Sequence, residues 1–191
     1  MVNLPVKNYL RLTSREFTYG GTFIHPLVSL AISSVKHQLE NSFSLPCPDP
    51  LPKGLEIQAG TFVSIKKDGL LRGCIGTLEP KYKNLAEEVI QNAIKAANED
   101  PRFPPIERNE LSQLTFSVDV LTTPEKIDYT SLLDPKRYGL IVTYDGRKGL
   151  LLPDLENIKS VDQQLKICLK KGGIKANDAY ELYRFEVKRF G

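Results

Sequence analysis

Residues 61–78 read TFVSIKKDGLLRGCIGTL, and the pair Asp68-Gly69 decides how they fold. Aspartate and glycine in succession tolerate positive φ at both central positions of a two-residue turn. On one side lies a β-rich run, Thr61 to Lys67, and on the other Leu70 to Leu78. The reading is a β-hairpin with Lys67 opposite Leu70. Counting outward, Ile65 falls opposite Arg72 and Val63 opposite Cys74. Side chains alternate in a strand, so Arg72 and Cys74 share one face about 7 Å apart, with Leu71, Gly73 and Ile75 on the other.

Downstream of the hairpin, Asn84 is placed to cap a helix, with Glu87 three positions later as its reciprocal partner. Ala86, Val89, Ile90, Ala93 and Ala97 recur at helical spacing. Asp100-Pro101 and Pro104-Pro105 end that helix. A strand follows in which Leu114, Phe116, Val118 and Val120 alternate with polar residues.

The same order recurs about 77 positions later. Leu140 to Tyr144 reads as a strand, Asp145-Gly146 as a turn and Gly149 to Leu152 as the return strand. Ser160 caps a helix with Gln163 as partner, and Val161, Leu165 and Cys168 share a face. Gly172-Gly173 terminates it, and Tyr183 to Val187 is the closing strand. Two structural repeats are expected, about 61–127 and 139–190, although two unrelated hairpins would read much the same. Hairpins and interspersed helices together predict an α+β fold: repeats of hairpin, helix and strand forming a mixed or antiparallel sheet, with helices packed on it.

Upstream, Pro26 opens a helix whose apolar face is Val28, Ala31, Ile32, Val35 and Leu39, ending near Asn41. The proline-rich stretch 45–54 is a stiff connector in which Cys47 is expected to be exposed. Residues 1–25 are an N-terminal extension, read over 1–24 as an extended arm or an edge strand. Residues 26–190 form the domain.

Composition narrows the function. With 26 Lys plus Arg against 23 Asp plus Glu, interleaved along the chain, the net charge of +3 marks a solvated surface and argues against a nucleic-acid stripe. No apolar run is long enough to span a bilayer. Three cysteines without a Cys-x-x-Cys pair, and no apolar signal core at the start, point to a reducing, cytoplasmic setting. No zinc-ligand spacing, P-loop, dinucleotide fingerprint or iron–sulfur cysteine cluster is present, so no metal or cofactor is expected.

The residues that stand out are those of Leu71-Arg72-Gly73-Cys74-Ile75-Gly76. An arginine beside a thiol favours thiolate, and its planar fork grips a carboxylate or phosphate. Glycines bracketing the cysteine leave room for a close approach. The bland reading stands beside this one: a cysteine among leucine and isoleucine is a small buried hydrophobe, and Arg72 pairs with a structural acid such as Glu79. The second hairpin has Gly149-Leu150-Leu151-Leu152 at the matching place, so the scaffold can be built without either residue.

The hexapeptide is similar to the signature of the AMMECR family. So are its flanks, NLAEEVIQNAIKAANEDPRFPP at 84–105, FSVDVLTTPEKI at 116–127 and GLIVTYDGRKGLLLPDLE at 139–156. The resemblance covers roughly residues 26–190 and is closest to the subgroup called AmmeMemoRadiSam system protein A. It implies an α+β fold with duplicated strand–helix units and a family whose activity is not established. It implies Arg72, Gly73, Cys74 and Gly76 as site candidates, joined by Asp100, Arg102 and Phe103 of the DPRF segment. Arg72 and Cys74 would be catalytic, the others substrate-binding. It implies as partners a Memo-like protein and a radical S-adenosylmethionine enzyme. Whether the chain is an enzyme component acting on a small anionic substrate, or an adaptor for those partners, stays open. Neither His25 nor His37 lies near Cys74 in sequence to serve as a base.

Overall fold

The computed structural model describes Thr18, Tyr19 and residues 22–191. The extended arm or edge strand expected over residues 1–24 falls largely outside the described residues. Within it, β1 (Thr18–Tyr19) pairs antiparallel with β2 (Thr22–Phe23).

Helix α1 (Pro26–Asn41) starts at the expected proline, and the His25 ring accepts a hydrogen bond from the Leu27 N–H at 3.3 Å as its cap. It ends at Ser42 with φ 66°. The first hairpin is β3 (Thr61–Lys67) and β4 (Leu70–Gly76), turning at Asp68 (φ 51°) and Gly69 (φ 78°). Helix α2 (Leu85–Asn98) follows, then a 3₁₀ helix over Arg108–Gln113 and β5 (Leu114–Leu121). β6 (Glu125–Ile127) precedes the second hairpin, β7 (Gly139–Tyr144) and β8 (Arg147–Leu151), which turns at Asp145 (φ 48°) and Gly146 (φ 72°). Helix α3 (Val161–Gly172) ends on Gly173 at φ 61°, and β9 (Glu181–Phe185) and β10 (Val187–Phe190) close the chain.

The fold is α+β, with two four-stranded sheets of order β10-β5-β3-β4 and β6-β9-β7-β8. The paired strands whose register is defined run antiparallel. The chain divides into two compact units, one up to Val120 together with Lys188–Gly191, the other Leu121–Val187. The short strand after each closing strand joins the other sheet: β6 follows β5 but pairs with β9, and β10 follows β9 but lies beside β5. In the first unit Arg189 of β10 donates to the carboxylate of Asp119 in β5, at 2.7 and 2.9 Å.

The first core is built from α1, α2 and the inner face of β3 and β5: Leu27, Ala31, Val35, Val63, Ile65, Val89, Ala93 and Val118 are 0–1% exposed or nearly so. The second is built from Leu140, Val142, Cys168, Leu169, Leu182 and neighbours. Both helix caps form as expected on one side: Asn84 Oδ1 accepts from Glu87 N–H at 2.9 Å, and Ser160 Oγ from Gln163 N–H at 3.2 Å. The return bonds reach one residue further back, to the N–H groups of Lys83 and Lys159 rather than of the caps. Cys47 is half-buried rather than exposed, because it packs on the first core and its thiol reaches Asn84 Oδ1.

Candidate functional site

The register of the first hairpin departs from the simple count. Lys67 opposes Leu70 and Lys66 opposes Leu71, but a bulge follows, after which Ile65 opposes Gly73 and Ser64 opposes Cys74. Arg72 is the extra residue. A bulge re-aims a side chain by inserting one residue without a partner. Val63 and Ile65, counted as opposite Cys74 and Arg72, instead oppose Ile75 and Gly73 and share no face with Cys74. Those two side chains are fully buried on the helix-covered face. Cys74 lies on the opposite face with Ser64, whose hydroxyl donates to Sγ at 3.3 Å, and both are half-buried.

Arg72 does not face an empty pocket. Its Nε and Nη2 donate to the two carboxylate oxygens of Glu110 at 3.1 and 2.8 Å, its Nη1 to the Pro104 carbonyl at 2.8 Å, and Nη2 again to the Pro105 carbonyl at 3.2 Å. The acid that pairs with it is Glu110 and not Glu79. Lys67 is a second cation on Glu110 at 3.2 Å, and the Glu107 N–H donates to it at 3.0 Å. These donors, Arg72 foremost, pull the Glu110 carboxyl down to a pKa of about 2.

Asp100, Arg102 and Cys74 do come together. Asp100, at the end of α2, is 4% exposed. Its Oδ2 accepts from the Cys74 N–H at 2.8 Å and from Arg102 Nη2 at 2.6 Å, and its Oδ1 accepts from Arg102 Nε at 2.9 Å and Arg102 N–H at 3.1 Å. The bond from Arg102 above all, helped by both backbone N–H groups, holds the Asp100 carboxyl far below the usual carboxylate range. Asp100 also satisfies an outward N–H of β4, which is the edge strand of its sheet.

The Arg102 side chain is 53% exposed. Asp100 takes its Nε and Nη2 edge, and Nη1 makes no hydrogen bond to the described residues. The side-chain hydrogen bonding to Asp100 above all, and then the charge of that carboxylate, favour the protonated form of Arg102. Phe103 lies against the guanidinium, with its ring centre 5.5 Å from Cζ.

The two glycines of the hexapeptide are filled by protein. A Cβ on Gly73 would overlap the Ala96 carbonyl oxygen of α2, and one on Gly76 would meet the Phe62 ring. Gly73 thus lets α2 approach β4. Neither histidine stands at Cys74. His25 caps α1 and stacks on Phe190 at 3.9 Å, with burial and then Lys188 lowering its pKa to about 4. His37 sits beside Asn41 and Phe43. Among the described residues there is no group of three or more His, Cys, Asp or Glu placed to hold a metal, and no helix long and apolar enough to cross a membrane.

The fold places the chain among α+β proteins built on antiparallel sheets, and residues 28–190 match the AMMECR1 family model. The chain belongs to that family. It is 44% identical over 169 residues to a protein of Thermotoga maritima, covering 87% of this chain and 97% of the other. It is 45% identical over 186 residues to a protein of Clostridium acetobutylicum, covering 96% of this chain but 40% of that longer one. The crystal structure of an uncharacterised protein from Pyrococcus horikoshii superposes with a TM-score of 0.78 at 32% identity, covering 85% of this chain and 88% of that one.

Proposed function

We propose that the chain is a component of an enzyme system whose working groups are Cys74 and Arg102. Cys74 serves as nucleophile or redox thiol, and Arg102 holds the anionic group of a small substrate. The carrying observation is the shared Asp100 carboxylate. One oxygen binds both the Cys74 backbone and the Arg102 guanidinium, so a half-exposed cation stands preorganised beside a half-exposed thiol. Arg72 is a framework residue in this reading, and Gly73 and Gly76 serve packing. Phe103 supports the Arg102 plane.

The proposal includes the assignment to the AmmeMemoRadiSam subgroup, with a Memo-like protein and a radical S-adenosylmethionine enzyme as cytoplasmic partners that supply the harder chemistry. It also includes the reading of the two units as copies of one plan, supported by the matched turns and caps. A non-catalytic adaptor is the second reading. It is favoured by the positions of His25 and His37 on and beside α1, where their rings have other contacts.

Alkylation of Cys74 tests the site. The ratio of iodoacetate to iodoacetamide rates at Cys74, followed by peptide mass spectrometry, should exceed the ratio for N-acetylcysteine. Arg102→Met should bring it down to that reference. Equal ratios in the wild-type protein would remove the anion-holding role.

A further inference from the structure

Glu110 lies outside both the hexapeptide and the Asp-Pro-Arg-Phe segment. We propose that it is the positioning residue of the Cys74–Arg102 site; the inference rests on the function proposed above. Four donors converge on its two oxygens: Arg72 Nε, Arg72 Nη2, Lys67 Nζ and the Glu107 N–H. Its side chain is 14% exposed and that of Arg72 13%. A bidentate pair so nearly enclosed orders the chains that carry it, unlike a loose surface ion pair.

What it orders is the segment from Asp100 to Glu110. One end is held at β4 by the bond from the Cys74 N–H to Asp100. Ile106 is tied to the Ala97 carbonyl at 2.9 Å and is buried. The far end is held by Glu110 on Arg72, which also takes the Pro104 and Pro105 carbonyls. Arg102 stands between these anchors. A guanidinium has five N–H donors, and Arg72 makes four bonds with them. Glu110 thereby does two things: it withdraws Arg72 from any substrate, and it fixes where the segment bearing Arg102 lies.

The second unit lacks this device. Its hairpin pairs Thr143 with Lys148 and Val142 with Gly149 without a bulge, so nothing there corresponds to Arg72, and no 3₁₀ helix lies between α3 and β9. A comparable sheet, hairpin and helix are built there without the anchor, so the fold plan alone does not call for it.

The test uses the full-length chain and the same two reagents. Glu110→Gln keeps the shape but removes the charge that grips Arg72. The iodoacetate-to-iodoacetamide ratio at Cys74 is expected to fall by at least about threefold, while the ratio at Cys47 stays constant. Arg72→Lys keeps the cation but cannot span the carboxylate and two carbonyls, and should lower the ratio likewise. Glu110→Asp, which preserves the charge, should recover part of it. If Arg102→Met abolishes the selectivity while both Glu110→Gln and Arg72→Lys retain it, Glu110 is only structural and the inference fails. If the wild-type ratio is no higher than that of N-acetylcysteine, the functional reading fails instead. Should Glu110→Gln not fold, Arg72→Lys decides alone.

Discussion

The hairpin of β3 and β4 with its helix α2 and the hairpin of β7 and β8 with its helix α3 solve one packing problem in the same way. Gly73 admits the Ala96 carbonyl, and Gly149 admits the Cys168 carbonyl and the backbone of Gly172. The glycines are 76 positions apart, as are Ala96 and Gly172. Each helix also uses a buried amide to hold the start of its first strand. Asn92 donates to the Thr61 carbonyl at 3.1 Å, and Gln164 to the Tyr138 carbonyl at 2.8 Å. The units part at the residues flanking the shared glycine. Leu150 stands in the second unit at the place of Cys74, and the bulge residue Arg72 has no counterpart there. The edge of β4 is capped by Asp100 on the Cys74 N–H, and that of β8 by Lys171 on the Leu150 carbonyl at 3.1 Å. What is common to both supports the fold. What the second unit does not repeat at these places, Cys74 with Arg72 and Arg102 and their acids Glu110 and Asp100, is where function is to be sought.

The sharpest way to break this division is to add a methyl group at each shared glycine. Gly73→Ala and Gly149→Ala both drive a Cβ into a helix carbonyl that cannot move alone. Each should cost about 3 kcal/mol or more in urea unfolding. If Gly73→Ala were tolerated while Gly149→Ala was not, Gly73 would belong with the site and not with the scaffold.

Acid titration bears on the feature found only in the first unit. Glu110 has its carboxyl lowered from 4.5 to about 2 in the folded chain. Because the folded value is depressed, its stabilisation is complete above about pH 4.5 and is lost as pH falls toward 2. A shift of that size corresponds to about 3 kcal/mol, which solvent reaching the pair reduces to about 1–2 kcal/mol. Glu110→Gln should remove this part of the stability difference between pH 6 and pH 3. An unchanged pH profile in the variant would mean that the clamp carries little free energy.

Local chemistry explains which parts could be read from the residue order. The two Asp-Gly turns and the caps at Asn84 and Ser160 depend on residues within three or four positions, and each formed where expected. The bulge did not announce itself. It accompanies the pairing of Arg72 with Glu110, 38 positions away, and nothing in Leu71-Arg72-Gly73 encodes that partner. The one local trace of Glu110 is its spacing from Glu107, which forms a capping pair at the 3₁₀ helix. β6 and β10 are three and four residues long, too short for an alternating pattern, so their exchange between sheets could not be read. Asp100 and Arg102 are named by the resemblance, and what the residue order does not encode is the bond from the Cys74 N–H to Asp100 that links them.

Cysteine substitutions should separate the two units by a smaller margin. Cys168 is fully buried, its pKa raised to about 12 by burial, and its thiol reaches the Leu140 carbonyl at 3.4 Å. Cys168→Ser places a hydroxyl in that core and should cost about 1–2 kcal/mol. Cys74→Ser keeps a polar partner for Ser64 on a half-buried face and should cost under about 1 kcal/mol. A loss of several degrees in Tm from Cys74→Ser, with no change in ligand or partner binding, would place Cys74 in the framework.

The smallest effect concerns the hairpin tips. Directly after the turn the first unit has Leu70-Leu71, 76% and 39% exposed, where the second has Arg147-Lys148. Charged residues are the usual guard of an edge strand against pairing with other chains, and β4 and β8 are both edges. Giving the first tip the residues of the second, as Leu70→Arg with Leu71→Lys, removes apolar surface that is mostly exposed at Leu70 and partly exposed at Leu71. Stability in urea should therefore stay within about 0.5 kcal/mol of the wild type. Lys66 and Lys67 stand opposite these positions, so the residual cost is like-charge repulsion across the strands, and it should shrink as salt is raised. A loss above about 2 kcal/mol that salt does not relieve would show instead that the leucines are packed in the folded chain. The first tip would then differ from the second in structure as well as in its residues.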